Sequence, residues 1–273
     1  MRWTLKTAPN LSLVDELSEV LSIDKVLSSL LIQRGVQTFD QAKKFFRPSL
    51  DDLHDPFLLK DMDIAVSRIE KAIANNENIL IYGDYDVDGT TAVSLVSSYL
   101  KTITNHIATY IPDRYDEGYG ISTQGIDFAA DHNFSLIIAL DCGIKAIKKV
   151  NYASQKNIDF IICDHHKPGD KLPKAVAVLN AKREDCSYPF DELCGCGVGF
   201  KLIQALASKR GQTLEDLTQY LDLVATAIAA DIVPITGENR ILNYFGLQVI
   251  NSNPRNGIKA IIQGVKKKDI NHY

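Results

Sequence analysis

The chain has 273 residues, 45% of them hydrophobic and 23% charged, and a formal net charge of −4. That is ordinary for a globular protein with material for one large domain or two modest ones. The balance argues against a broadly basic, charge-driven nucleic-acid binder, and no apolar run is long enough to span a bilayer.

The opening MRWTLKTAPN lacks the apolar stretch of a secretory signal, so a cytoplasmic location is expected. Residues 11 to 34 read as helix, with Leu13, Val14, Leu17, Val20 and Leu21, then Val26, Leu27, Leu30 and Leu31, at helical spacing. A second helical stretch covers about 37 to 46, and a turn-rich segment, Arg47 to Pro56, follows it. Residues 1–55 are therefore expected to form a helical N-terminal region.

From about residue 61 the texture changes. Apolar runs, Ile79–Tyr82, Ile107–Ile111, Leu136–Leu140, Phe160–Cys163 and Ala175–Leu179, alternate with amphipathic stretches at 62–74, 90–102, 122–132 and 144–156. This alternation predicts an α/β fold: a parallel β-sheet with helices on both faces, preceded by the helical region. Long helical segments continue from Gly197. The expected division is 1–55, a catalytic domain at 56–250, and the start of a connector at 251–273. Five cysteines, Cys142, Cys163, Cys186, Cys194 and Cys196, form an odd set, two of them inside apolar runs, which favours reduced thiols over a disulfide framework. Cys194-Gly-Cys196 does not have a zinc spacing.

Ligands of open parallel sheets bind beyond the carboxyl ends of the strands. The first apolar run is followed by Gly83-Asp84-Tyr85-Asp86-Val87-Asp88-Gly89, the third by Asp141-Cys142-Gly143, and the fourth by Asp164-His165-His166. Asp231 follows a further apolar helix. So many carboxylates at one edge repel each other unless a cation neutralises them. Hard oxygen donors with imidazole favour Mn²⁺ or Mg²⁺, and the number of donors suits two ions. A polar Asp/Gly turn is the plainer account of one such segment, but not of three strand ends together. The DxDxDG stretch is not an EF-hand loop, since it follows a strand and has no Glu near its twelfth position.

These motifs resemble the DHH phosphoesterase superfamily. Finer features are similar to its RecJ exonuclease branch: Arg2-Trp3, Tyr82 to Thr91, Ile111-Pro-Asp-Arg114 with Glu117 to Gly120, Gly195 to Leu202, Asp231-Ile-Val-Pro234 with Glu238-Asn-Arg240, and Asn253 to Lys259. The resemblance implies 5′-to-3′ hydrolysis of single-stranded DNA in repair and recombination, with replication or recombination proteins as further partners. It implies that Asp84, Asp86 and Asp141 hold one Mn²⁺ or Mg²⁺, and that Asp88, Asp141, His165 and Asp231 hold the other. His166 is then the group that meets the scissile phosphate, and Asp164 orients an imidazole. Arg114, Lys167 and Arg240, each beside a motif, are candidate phosphate contacts. The N–H groups at Gly195, Gly197 and Gly199 are a candidate phosphate cradle, although close helix packing explains these glycines equally well. Tyr115 and Tyr119 are candidates for base stacking.

Two departures stand out. RecJ-like chains often carry His where Tyr82 stands, and tyrosine is a poor ligand at neutral pH. The family's DHH-associated and oligonucleotide-binding domains have no counterpart here, so the chain is expected to be the N-terminal part of a longer enzyme. Other DHH enzymes, acting on short oligonucleotides or cyclic dinucleotides, are the alternative, and a non-catalytic nucleic-acid or replication-protein binder is the reading from another class.

Overall fold

The structure, a computed structural model, describes residues 4–265. Arg2-Trp3 and the last eight residues of the expected connector lie outside the described residues. The chain divides into two compact units, Met1–Asp52 and Leu53–Tyr273.

The first unit contains α1 (Leu11–Leu21), α2 (Lys25–Ile32) and α3 (Phe39–Phe46). The helix expected over 11–34 is two helices. Ser22 adopts a left-handed φ of 53° and closes α1, and the Asp24 carboxylate accepts from Val26 N to start α2. The apolar periodicity continues across the break because both helices bury one stripe in a small core of Val14, Leu17, Leu31, Ile32, Val36 and Ala42. A Thr38–Gln41 capping box opens α3.

The second unit runs α4 (Met62–Ala74), β1 (Asn78–Gly83), α5 (Val87–Leu100), β2 (Ile107–Tyr110), α6 (Thr123–Asp131), β3 (Phe134–Leu140), α7 (Ile147–Gln155), β4 (Asp159–Cys163) and β5 (Ala177–Leu179). It continues with α8 (Gly195–Lys209), α9 (Leu214–Leu217), α10 (Leu221–Asp231), α11 (Gly237–Ser252) and α12 (Asn256–Gly264). Among the described residues the strands form one five-stranded sheet in the order β2-β1-β3-β4-β5, and every pairing is parallel. Parallel strands covered on both faces need apolar side chains in both directions, which is why these runs are continuous rather than alternating. On one face Leu80, Ile137, Ala139 and Ile162 pack with Ile126 and Ala129 of α6 and Val150 and Ala153 of α7. On the other, α5 packs against β1 and β3, and α8 against β3 and β4.

The strand order reverses between β1 and β3, which opens the crevice at their carboxyl ends. α5 begins at Val87, three residues before the expected start, because Asp86 caps it by accepting from Gly89 N at 2.9 Å. Gly89 allows that first turn to press onto the end of β1: a Cβ there would fall 2.4 Å from the Asp84 carbonyl oxygen. All five cysteines are free thiols. No helix of the described residues is long and apolar enough to cross a membrane.

Candidate metal centre

The carboxyl ends of β1, β3 and β4 each deliver one part of the site. Asp84 follows β1 and is fully buried; its Oδ1 accepts from Gly120 N at 3.2 Å and its Oδ2 has no partner. Asp141 follows β3 with a left-handed φ of 60°, a conformation that Asp tolerates better than most residues. Its Oδ1 is also buried without a hydrogen bond. Asp164, His165 and His166 follow β4. Both ring nitrogens of His165 are buried and unpartnered, and Nε2 lies 3.2 Å from Asp141 Oδ1 and 3.7 Å from Asp88 Oδ2 and Asp231 Oδ2.

Two groups of donors converge: Asp88, His165 and Asp231, and Asp141 with both imidazoles. Within each, the donor atoms lie within 4.8 Å of one another. Asp84 and Asp86 stand outside these two groups; burial, and behind it the charge of Asp86, raises the pKa of Asp88, Asp141 and Asp231. Burial, followed by mutual repulsion, pushes Asp88 and Asp141 well above the ordinary carboxylate range. Burial and then the neighbouring His166 charge bring His165 down to about 4, leaving a neutral imidazole ready to donate a lone pair. Buried acceptors without donors, beside a neutral imidazole, form a donor set that fits hard divalent cations.

Asp164 has a different task. Its Oδ2 accepts from Ile144 N at 2.9 Å, and its Oδ1 accepts from His166 Nδ1 at 2.8 Å and His166 N at 3.1 Å. Burial alone would raise it, but these hydrogen bonds hold its carboxyl below the usual range. The same bond raises the pKa of His166. With Nδ1 so engaged, His166 turns Nε2 outward, where it meets the Tyr119 hydroxyl at 3.2 Å.

Three expectations need correction or completion. The N–H groups at the start of α8 do not cradle a phosphate: Gly195 N and Cys196 N donate to Asp88 at 2.6 and 2.7 Å, and Gly197 N to Cys194 Sγ at 3.3 Å. Gly195 is required by proximity, since a Cβ would fall 2.5 Å from Asp141 Oδ1. Tyr82 is not turned to the donors; its hydroxyl donates to Gly120 O and accepts from Ser122 N, which holds the loop beside Asp84. Tyr119 touches His166 and packs edge-on to Tyr85, while Tyr115 is 91% exposed.

Of the candidate cations, Arg114 lies over the Tyr85 ring at 4.5 Å, and exposed Lys167 lines a cavity of about 550 Å³ with Asp170 and Arg183. Arg240 sits half-buried in the first turn of α11, outside both donor groups, its pKa lowered by burial. Lys182, on the same cavity, was missed. Its charge bears on His165 and Asp231, and buried Asn180 ties its segment to the motif by donating to His166 O and accepting from Lys182 N, both at 2.8 Å. It follows β5, so the strand-end rule that found the other residues reaches it when applied to the fifth apolar run.

Comparison with known proteins gives a consistent picture. Residues 78–228 match the DHH family, N-terminal domain. The chain is 40% identical over 263 residues to the single-stranded-DNA-specific exonuclease RecJ of Bacillus subtilis (strain 168), covering 96% of this chain and 33% of that one. It superposes on RecJ of Thermus thermophilus in complex with Mn²⁺ with a TM-score of 0.81 at 25% identity, covering 97% of this chain and 37% of the other. A second match, exonuclease RecJ bound to manganese, has a TM-score of 0.71 at 28% identity, with coverages of 80% and 54%. The chain spans less than half the length of these curated relatives, RecJ of Bacillus subtilis, Dickeya dadantii and Escherichia coli.

Proposed function

The chain belongs to the DHH family, and on that premise we propose that it is the metal-binding hydrolytic part of a RecJ-type exonuclease acting on single-stranded DNA. The reading extends to 5′-to-3′ degradation in repair and recombination, in the cytoplasm, with replication or recombination proteins as further partners. In this reading 1–55 is an accessory helical region, 56–250 the catalytic domain, and 251–273 the start of a connector.

The observation that supports it most is the set of bare buried donors at one sheet edge: Asp84 Oδ2, Asp141 Oδ1 and both nitrogens of His165. Asp84, Asp86 and Asp141 are proposed for one Mn²⁺ or Mg²⁺, and Asp88, Asp141, His165 and Asp231 for the other. When bound, two such ions supply positive charge against the phosphate and a water acidic enough to attack phosphorus near neutral pH. The remaining work belongs to the chain. The N–H groups of Gly195 and Cys196 fix both oxygens of Asp88, so that it enters the site in one orientation. Asp164 fixes the His166 ring and favours its cationic form, which presents Nε2–H to a phosphate oxygen or the leaving oxygen. Arg114, Lys167, Lys182 and Arg240 are proposed phosphate contacts, and Tyr85 with Tyr119 a surface on which a base stacks.

The test uses single-stranded DNA labelled at the 5′ or 3′ end, with Mn²⁺, beside a cyclic dinucleotide. The expected result is Mn²⁺-dependent release of a mononucleotide from the 5′ label first. Faster hydrolysis of the cyclic dinucleotide, or of the 3′ end, overturns the reading.

A further inference from the structure

Glu238 and Lys201 form an ion pair at 2.6 Å in the interior of the second unit, and both are essentially inaccessible to water. Every charged atom of the pair is satisfied. Glu238 Oε1 also accepts from His54 N at 2.9 Å, and Oε2 from the Tyr188 hydroxyl at 2.6 Å. Lys201 Nζ also donates to His54 O at 2.9 Å. Burying two charges is costly, and such a pair stabilises less than apolar residues of the same volume. What it provides is a fixed geometry: the start of α11 is locked to α8 and to the segment at His54.

Asn239, the next residue, uses that rigid base. It is fully buried, and its Nδ2 donates to Glu192 O at 2.5 Å and to Pro234 O at 3.1 Å. Glu192 lies two residues before Cys194, the N-cap of α8, whose first N–H groups hold Asp88. Pro234 lies three residues after Asp231, in the loop between Ile232 and Gly237, both of which have positive φ. One side-chain amide therefore ties together the two backbone segments that place Asp88 and Asp231, two donors of a single group with His165.

We propose that Asn239 is a positioning residue for the metal position formed by Asp88, His165 and Asp231, with the Glu238–Lys201 pair as its anchor. The inference rests on the two-metal reading above. The side-chain hydrogen bonds of Asn239 go to Glu192 O and Pro234 O and not to the donors, so it acts by holding the α8 N-terminus and the 232–236 loop at one separation. Asp84 and Asp86 hang from β1 and α5, not from these segments, so the other metal position, which shares only Asp141 with this one, depends on it much less.

The experiment is a Mn²⁺ titration of wild type, Asn239→Leu and Asn239→Asp, with free Mn²⁺ followed by electron paramagnetic resonance and metal-free thermal unfolding run in parallel. Asn239→Asp keeps the shape but turns an acceptor toward two carbonyl oxygens, and Asn239→Leu removes all polar contact, so one variant serves if the other does not fold. The expected result is two bound equivalents in wild type and, in the variants, one site weakened about 10- to 100-fold with the other much less affected. Equal weakening of both sites, or unchanged binding with only a lower unfolding temperature, overturns the proposal. Fewer than two equivalents in wild type overturns the two-metal reading itself, and this inference with it.

Discussion

Lys201 and Glu238 are as deeply buried as Asp84 and Asp141, but the two clusters are completed differently. The Lys201–Glu238 cluster finds a partner for every charged atom within the chain. The strand-end cluster leaves Asp84 Oδ2, Asp141 Oδ1 and both His165 nitrogens bare. Buried polar groups are nearly always hydrogen-bonded, so a concentrated set of exceptions marks a place where the protein awaits something from outside. Burial therefore does not separate these two clusters; the gathering of several bare donor atoms at one place does.

The largest expected effect falls on the bare cluster. Asp141→Asn should reduce hydrolysis to background while the metal-free fold survives or gains stability. Because the pKa of Asp141 is raised in the folded state above its ordinary 3.8, folding takes up a proton there. Its contribution is fully present below the unfolded value and is lost as pH rises toward the folded one. The neutral amide has no such loss, so the gain in unfolding temperature should be greater at about pH 8 than at about pH 5. Turnover near wild type would remove Asp141 from the centre of the site.

The satisfied cluster should respond in the opposite way. Lys201→Met leaves Glu238 buried without its cation and should cost about 3–5 kcal/mol in urea unfolding. Lys201→Met combined with Glu238→Leu should recover part of that loss. A single substitution costing no more than a surface one would dissolve the contrast between the clusters.

The buried carboxylates should also make metal binding depend on pH. Asp88 and Asp141 must release protons to bind a cation, so Mn²⁺ affinity should fall about tenfold per pH unit for each proton released as pH drops below neutrality. Calorimetry in buffers of different ionisation enthalpy counts those protons. Binding without proton release would mean that both carboxylates are already ionised in the metal-free protein.

The smallest effects belong to the lysines at the rim, half-buried Lys182 and exposed Lys167. Lys182→Met and Lys167→Met should each weaken single-stranded DNA binding a few-fold at low salt and scarcely at all at high salt, as phosphate contacts do. Fluorescence anisotropy at several salt concentrations measures this. With a net charge of −4, binding by the wild-type chain should itself be weak and strongly salt-dependent. Tight, salt-insensitive binding would place a complete strand-tracking groove within these residues.

Much of the architecture is local enough to be legible in the amino-acid sequence. Apolar runs such as Leu136–Leu140 and amphipathic stretches such as 62–74 carry their own periodicity, so five parallel strands and their covering helices follow without tertiary information. Asp84, Asp141 and the Asp164–His166 motif are legible for the same reason, each standing directly after a strand, and Asp86 and Asp88 follow in the short turn from β1 into α5; the carboxyl edge of a parallel sheet gathers such residues. The break at Ser22 was not legible, because the helical stripe runs through it unchanged.

Which atoms meet is settled by packing between distant segments. Asp88 is held by Gly195 and Cys196, Glu238 is satisfied by His54 and Tyr188, and Asn239 joins Glu192 to Pro234. The pairs Asp88–Gly195 and His54–Glu238 are separated by more than a hundred residues of chain. Periodicity and motif spacing are set by neighbouring residues, and a sequence displays them directly. Hydrogen-bond satisfaction depends on separations fixed by packing between distant segments. The sequence thus shows where the charges gather, and the fold alone shows which of them remain unpaired and open to a metal.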